Sequence, residues 1–484
     1  MLLAWPRVVV CWLALAAACG AGTETPQDSS NTPVTPPPSL NGQDWTRFDV
    51  DPQRSGVFVA ETGITSANVA SLVRQQVPID GTVDGSAIYL HDVQIGGAAH
   101  DAFFVTTTYG KTLAIDANDG SVLWRFTPTS YASVAGSARV TTATPVADPD
   151  RTHIYAASPD GDIQKLNVSD GSAVWSTAIT TLPAREKIAS SLNLFRGKVL
   201  ATTGGYIGDA PPYQGHVVSV DAATGQLSSV WNSLCSNQSQ LLTPSNCAQS
   251  GSAIWGRAGA VVDSATGDIF VATGNALWDG STNWGDATLA LDASAAHLVA
   301  NYTPTNTASL NASDADVGST SPALLDATHV LQGGKDGTMR VIDLQVSGGS
   351  SPHKGGEAQV VSTPSGSGLF TAPAVWRRSV GTWVFAADGG GTAAWTYNAG
   401  RLTKAWSNSH AGTSPIVAGG LLYVYDPGGT LRAYDPTTGA LAAELACGRG
   451  HWNSPIAVDG RIALPEGNSN DHATAGTFDI WRKP

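Results

Sequence analysis

No cluster of Lys or Arg interrupts this chain: 26 basic residues stand against 39 acidic ones, a formal net charge of −13 over 484 residues. That balance excludes nucleic acid as a partner. Charge is scarce altogether, at 13% of residues, and no segment shows the periodicity of a helix longer than a turn. The apolar run Val8 to Ala18 is too short to cross a bilayer, which takes about 20 residues. The five cysteines match no zinc spacing and contain no Cys-x-x-Cys-His segment, so neither a structural zinc nor a covalently attached haem is expected.

What is abundant is turn chemistry and tryptophan: 53 Gly, 27 Pro and 15 Trp, with 42% apolar residues to fill a core. They are organised around one stretch, Thr112 to Phe126 (TLAIDANDGSVLWRF). Leu113 and Ile115 alternate into Asp116, a turn ends on Gly120, and a second short strand carries Trp124. This is a β-hairpin in which Asp and Asn bind the local backbone and Gly supplies positive φ. The pattern returns at Lys165–Trp175, Ser219–Trp231, Ala290–Tyr302 and Ala433–Leu445, with degenerate copies at Met339–Gln345, Ala393–Trp406 and Thr477–Trp481. A hairpin at such intervals is the mark of a repeat architecture.

Eight units can be counted. Each opens with a short small-residue and apolar strand: Gly85–Ile88, Ala143–Val146, Ser190–Asn193, Gly251–Ile254, Thr320–Ala323, Thr371–Ala374, Thr413–Ile416 and Asn453–Ile456. A second strand follows each opening, and the Asp…Gly…Trp hairpin closes the unit. Eight antiparallel four-stranded units predict an all-β fold, an eight-bladed β-propeller over residues 44–484. The last unit ends at Trp481–Pro484 without its closing strand. The N-terminal segment Leu72–Val77 is expected to supply it, leaving no unpaired edge.

Ahead of the propeller, residues 1–18 read as an export signal. Arg7 is the only early cation, and Leu15-Ala16-Ala17-Ala18-Cys19-Gly20 resembles a bacterial lipoprotein cleavage box, with Leu15 one position too far from the cysteine. Cys19 is then the lipidation site, with simple secretion as the alternative. Residues 19–43, rich in Thr, Pro and Ser, cannot bury enough to fold and read as a tether. In an exported protein Cys235 and Cys247 are expected to close a polar loop as a disulfide, and Cys447 to be a buried thiol.

The closing hairpins (IDANDGSVLW, VDAATGQLSSVW, YDPTTGAL) resemble those of the pyrroloquinoline quinone (PQQ) repeat family, and the resemblance extends over nearly the whole chain past residue 44. The family includes quinoprotein alcohol dehydrogenases and also propellers without a cofactor. In the dehydrogenases PQQ lies on a tryptophan beside Ca²⁺, and an aspartate is the base. The resemblance implies Trp255, in Ile254-Trp255-Gly256, as the floor, and Asn275, in Thr273-Gly274-Asn275, as a calcium ligand. It further implies Asp314 as the base and Lys335 as the cation facing the quinone oxygens. Tyr206 stands where the family has a glutamate on calcium, with Asp209 close enough to replace it, and the adjacent cysteine pair typical of the dehydrogenases is absent.

Each of these residues also has an ordinary structural reading. Trp255 can pack a blade, Asn275 can satisfy a turn, Asp314 and Asp316 can cap a loop, and Lys335 can face solvent beside Asp336-Gly337. The loop Tyr206–Gly215 is expected over the axial mouth, and His410, His451 and His472 read as structural or exposed. These departures point to an exported, lipid-anchored monomer in the periplasm or at the cell surface. It would bind a small ligand in its axial funnel, or envelope proteins, and would touch the membrane only through its anchor. The alternative is a PQQ- and calcium-dependent dehydrogenase of alcohols that passes electrons to an external acceptor. A purely structural propeller that binds partners through apolar loops comes third.

Overall fold

The repeated hairpin folds as its residues demand. In the computed structural model, which describes residues 44–484, Thr112–Asp116 and Val122–Phe126 pair antiparallel. Asp116 accepts the N–H groups of Asn118 at 2.7 Å and Asp119 at 3.2 Å, while Gly120 takes a φ of 79°. Asp221 with Gly225 and Asp435 with Gly439 repeat this turn. Gly171, at φ 73°, has a second duty that explains the tryptophan. A Cβ there would come within 2.4 Å of the Trp124 ring, and Trp124 donates its Nε1–H to the Val168 carbonyl at 2.8 Å. Each such glycine thus makes the turn of its own blade and receives the indole of the blade before; Trp175 on Gly225 and Trp406 on Gly439 do the same.

The outcome is eight four-stranded antiparallel blades: 88–126, 146–178, 193–232, 261–302, 323–362, 374–408, 416–446, and 456–482 completed by 73–79. The ring closes as expected. Val73–Ile79 pairs with Gly476–Arg482 over seven residues, in register from Val73 opposite Arg482 to Ile79 opposite Gly476. Gly120 of blade 1 meets Val77 of this strand where other turn glycines meet a tryptophan. The segment before the closing strand crosses several inner strands. Trp45 bridges Tyr89, Arg47 reaches the Asn193 side chain at 3.0 Å, and Val57–Phe58 adds a parallel fifth strand to blade 7. Tyr, Phe and Trp pack fully buried between blades, and the core is spread around the ring.

Three expectations are corrected. Gly251–Ile254 is not a strand: Ser252 takes a φ of 54°, and the inner strand of blade 4 is Val261–Val262. Elsewhere, too, the small-residue signatures lie largely ahead of the inner strands, so what they mark is the approach to the axis rather than the strand itself. A helix longer than one turn does exist, Thr307–Ala312, in the loop between blades 4 and 5. Cys447 is a free thiol, as expected, but only half-buried. Cys235 and Cys247 form a disulfide. The export signal, the tether and Cys19 lie outside the described residues.

Candidate active site

The segments that approach the axis, together with turns joining second and third strands, converge on a cavity of about 540 Å³. Trp255, Asn275, Asp314, Lys335 and Asp209 all line it, although they come from blades 3, 4 and 5 and the loops between them. Trp255 lies in the segment that enters blade 4, fixed where the Ile254 N–H meets the Thr203 carbonyl and the Gly274 N–H meets that of Ala253. Asn275 follows the second strand of that blade, Ile269–Ala272. Asp314 and Asp316 end the loop after helix Thr307–Ala312, and Lys335 sits in the turn after His329–Gly333.

Lys335 organises the acidic side. Its Nζ lies 2.7 Å from Asp316, 3.0 Å from Asp314 and 5.4 Å from the Trp255 ring centre. Despite the desolvation that opposes it, hydrogen bonds and charge from Asp316 and Asp314 hold the ammonium pKa above its ordinary value. The two aspartates differ in exposure: the side chain of Asp316 is 9% exposed and that of Asp314 76%. Asp316 also accepts the Asn275 backbone N–H at 2.7 Å, and Asn275 Nδ2 donates to Asp314 at 3.1 Å. The amide oxygen of Asn275 is buried and makes no hydrogen bond with any described residue.

Asp209 faces this group from the loop over the mouth. Partial burial and the carboxylates of Asp316 and Asp314 raise its pKa. Behind the wall, buried Asp286 is pushed up to about 7, chiefly by desolvation. Tyr206 turns its hydroxyl away, donating to the carbonyls of Pro159 and Pro183 at 3.0 Å.

Sequence reasoning did not find the opposite side of the cavity. Phe370 and Trp452 extend the aromatic wall from Trp255, with ring centres 6.0 and 5.3 Å apart along the series. His451 packs tilted against Trp452, ring centres 4.4 Å apart, meets Asp84 at 2.8 Å and lines the cavity, a place its sequence surroundings did not indicate. Asp84 is fully buried and also receives the N–H groups of Trp452 and Ser469, each at 2.9 Å. Although burial opposes ionisation, His451 and Arg257 hold its carboxyl well below the ordinary range. Lys187 and buried Arg257 complete this side.

The molecule is thus a closed propeller with a polar, aromatic-walled cavity on its axis. Residues 75–241 match the PQQ-repeat family model described as outer membrane protein assembly factor BamB. A polyvinylalcohol dehydrogenase of Sphingopyxis sp. (strain 113P3) is 23% identical over 286 residues, covering 56% of this chain and 41% of that protein, so the match spans less than half of the curated relative. The fold is shared with a quinohemoprotein alcohol dehydrogenase from Pseudomonas putida HK5 at TM-score 0.70 and 14% identity, over 92% of this chain and 80% of that one. It is also shared with a europium-containing methanol dehydrogenase at TM-score 0.67 and 15% identity, over 92% and 98%. In repeat sequence over residues 75–241, and in fold over the whole propeller, the chain is thus similar to the PQQ-repeat, quinoprotein alcohol dehydrogenase-like β-propellers.

Proposed function

We propose that this chain is an exported, lipid-anchored dehydrogenase that uses PQQ and calcium to oxidise alcohol groups. One observation carries the proposal: Trp255, Asn275, Asp314 and Lys335, chosen from distant parts of the sequence, line one axial cavity. A scaffold has no need of that convergence and would rather present an apolar patch. The exposed large apolar residues are instead spread around the ring, with Val174, Ile207, Leu277, Val380 and Leu441 on or beside five different blades. Similarity to a polyvinylalcohol dehydrogenase supports alcohol as the group oxidised. No helix among the described residues is long and apolar enough to cross a membrane.

The donor set fits a hard cation. Asp209, Asp314 and Asp316 outnumber the single ammonium of Lys335, and the orphaned Asn275 oxygen is the kind of neutral ligand calcium accepts. Asn275, Asp209 and Asp316 would hold the metal. Bound together, calcium and PQQ supply a two-electron acceptor whose carbonyl is polarised by the metal.

The chain's own residues do the rest. Trp255 offers a flat apolar face, and Lys335 above it is placed to donate to an acceptor oxygen. Asp314, exposed at the mouth and held by Lys335 and Asn275, takes the proton of the substrate hydroxyl.

The test is calorimetric titration of the purified protein with PQQ, with and without calcium, followed by alcohol-dependent reduction of an artificial electron-accepting dye. Calcium-dependent binding in the micromolar range, and dye reduction lost in Asp314→Ala, are expected. Absence of PQQ binding at high concentration in the presence of calcium refutes the reading.

A further inference from the structure

The cavity has two electrical poles, and only the acidic one is accounted for by a metal. At the other, Lys187 projects from the two-residue strand Glu186–Lys187, which pairs with Gly204–Gly205 beneath the mouth loop. Its ammonium makes no hydrogen bond or ion pair with any described residue, although the residue is partly buried in the cavity wall, where an unpaired charge is costly. Arg257 lies close by, its guanidinium bonded to Thr142 Oγ1 at 3.0 Å and to the Asp84 carbonyl, and 5.9 Å from the Trp452 ring centre. Among the described residues of this group the one carboxylate is Asp84, which is shared between His451, the N–H groups of Trp452 and Ser469, and Arg257, whose Nη2 lies 3.8 Å away. With Arg257 compensated by Asp84, the Lys187 ammonium is the surplus positive charge at one end of the aromatic wall. Lys335 and its aspartates stand at the other.

We propose that Lys187, supported by Arg257, is an anion anchor that takes a carboxylate of a flat conjugated ligand and so fixes which end of that ligand faces Lys335 and Asn275. The anchor rests on the reading of the cavity as a PQQ site, but its chemistry is broader: it selects planar aromatic polycarboxylates over their neutral analogues. A ligand lying along Trp255, Phe370 and Trp452 with a carboxylate on Lys187 presents its far edge to the acidic pole. Reversed, it would leave the Lys187 ammonium without a counter-ion, and that loss disfavours the pose. Burial and neighbouring Arg257 also lower the Lys187 pKa to about 8, as expected of an ammonium that lacks its counter-ion.

The experiment is calorimetric titration of the full, calcium-loaded chain with PQQ, with PQQ trimethyl ester and with trimesate, a benzene tricarboxylate. It compares wild type, Lys187→Met and Lys187→Arg, each with a melting curve. A charge-assisted hydrogen bond lost in Lys187→Met is expected to weaken PQQ and trimesate roughly 10- to 100-fold. The ester is unaffected, and Lys187→Arg retains most of the affinity for the acids. Equal affinity of wild type and Lys187→Met for PQQ, or equal loss for acid and ester, overturns the anchor.

Should Lys187→Met fail to melt like wild type, the wild-type preference for acid over ester decides. A preference of about tenfold or more upholds the anchor, and near-equality overturns it. The two readings fail separately. Lys187-dependent trimesate binding without PQQ binding keeps the anchor and removes the cofactor; PQQ binding indifferent to Lys187 and to esterification keeps the cofactor and removes the anchor. If wild type binds none of the three, both fall.

Discussion

Replacing Lys335 with Met tests the acidic pole most directly, because the mutation removes the one cation among three cavity-lining aspartates. The two ion pairs lost are unequal. Asp314, with its side chain 76% exposed, is a surface partner worth about 0–1 kcal/mol. Asp316, at 9%, is a buried partner, and stripping its cation costs about 3–5 kcal/mol. The retained bond from the Asn275 N–H stabilises the remaining charge, so the total falls near the lower end, about 3–4 kcal/mol. A ring of this size has an unfolding entropy of roughly 0.9 kcal/mol per kelvin, which converts the loss to about 4 °C in Tm.

Calcium should narrow the difference between the two proteins. The variant's pocket is more negative by one charge, so added calcium must stabilise Lys335→Met more than it stabilises wild type. Differential scanning calorimetry in chelator and in calcium reads both effects. If Lys335→Met melts within about 1 °C of wild type in chelator, the buried-pair scale does not apply to Asp316. Equal calcium responses would mean that Lys335 and the metal do not share one pole.

Among the aspartates, Asp314→Asn should keep calcium and PQQ affinity while cutting dye reduction by about 10²- to 10⁴-fold. Asp316→Asn should weaken terbium binding first, read by luminescence sensitised through Trp255; the reverse pattern would exchange their roles. Gly171→Ala should lose about 1–2 kcal/mol to its positive φ and more to overlap with Trp124, whereas Gly197→Ala at φ 72° meets nothing within 4 Å and should lose the φ cost alone. Equal urea midpoints for the two would deny that Trp124 docks on the turn.

Asp479, fully buried beside Glu466, has its pKa raised to about 8, chiefly by desolvation. The folded chain therefore holds a proton that the unfolded chain releases near pH 4, so this stability is fully present below about pH 4. It is lost at up to about 1.4 kcal/mol per unit as pH rises through about 8. Asp479→Asn should flatten the slope of Tm against pH across that window, and an unchanged slope refutes the assignment.

The fold was legible because its repeat encodes a contact as well as a turn. An Asp–Gly turn alone is common, but the recurring Trp four or six positions after the glycine, together with the next unit's glycine, specifies blade-to-blade docking. The inner strands were not legible. Val261–Val262 and Val146–Ala147 are too short to show an alternating pattern, whereas Gly251–Ile254 looks like a strand until Ser252 takes its left-handed conformation. Half of the cavity could be read because Trp255, Asn275, Asp314 and Lys335 sit in local motifs that resemble a family. Asp316 was seen only as a loop cap, since nothing local distinguishes the buried aspartate of Asp-Ala-Asp from the exposed one. Asp84, Lys187, Arg257 and His451 carry no motif at all; only ring closure brings residues 84 and 451 within 2.8 Å.

That dependence makes the two poles separable. The acidic pole is built by blades 3 to 5 and the loops between them. The basic pole hangs on Asp84, which lies between the closing strand and blade 1 and bonds His451 ahead of blade 8 and Ser469 within it. Arg74 of the closing strand secures the same seam, pairing with Glu466 and Asp479 at 2.7 Å each. Arg74→Met takes the cation away from the buried Glu466 and Asp479 side chains, a local cost of about 3–5 kcal/mol that is met by opening the seam rather than the ring. Hydrogen exchange should accelerate in Val73–Ile79 and Gly476–Arg482 while blade 4 stays protected. Asp84 would then hold His451 and Ser469 less firmly, and the variant should lose affinity for trimesate while binding terbium as wild type does. If both ligands weaken in proportion, the poles are not independent, and the cavity opens and closes as a single cooperative unit.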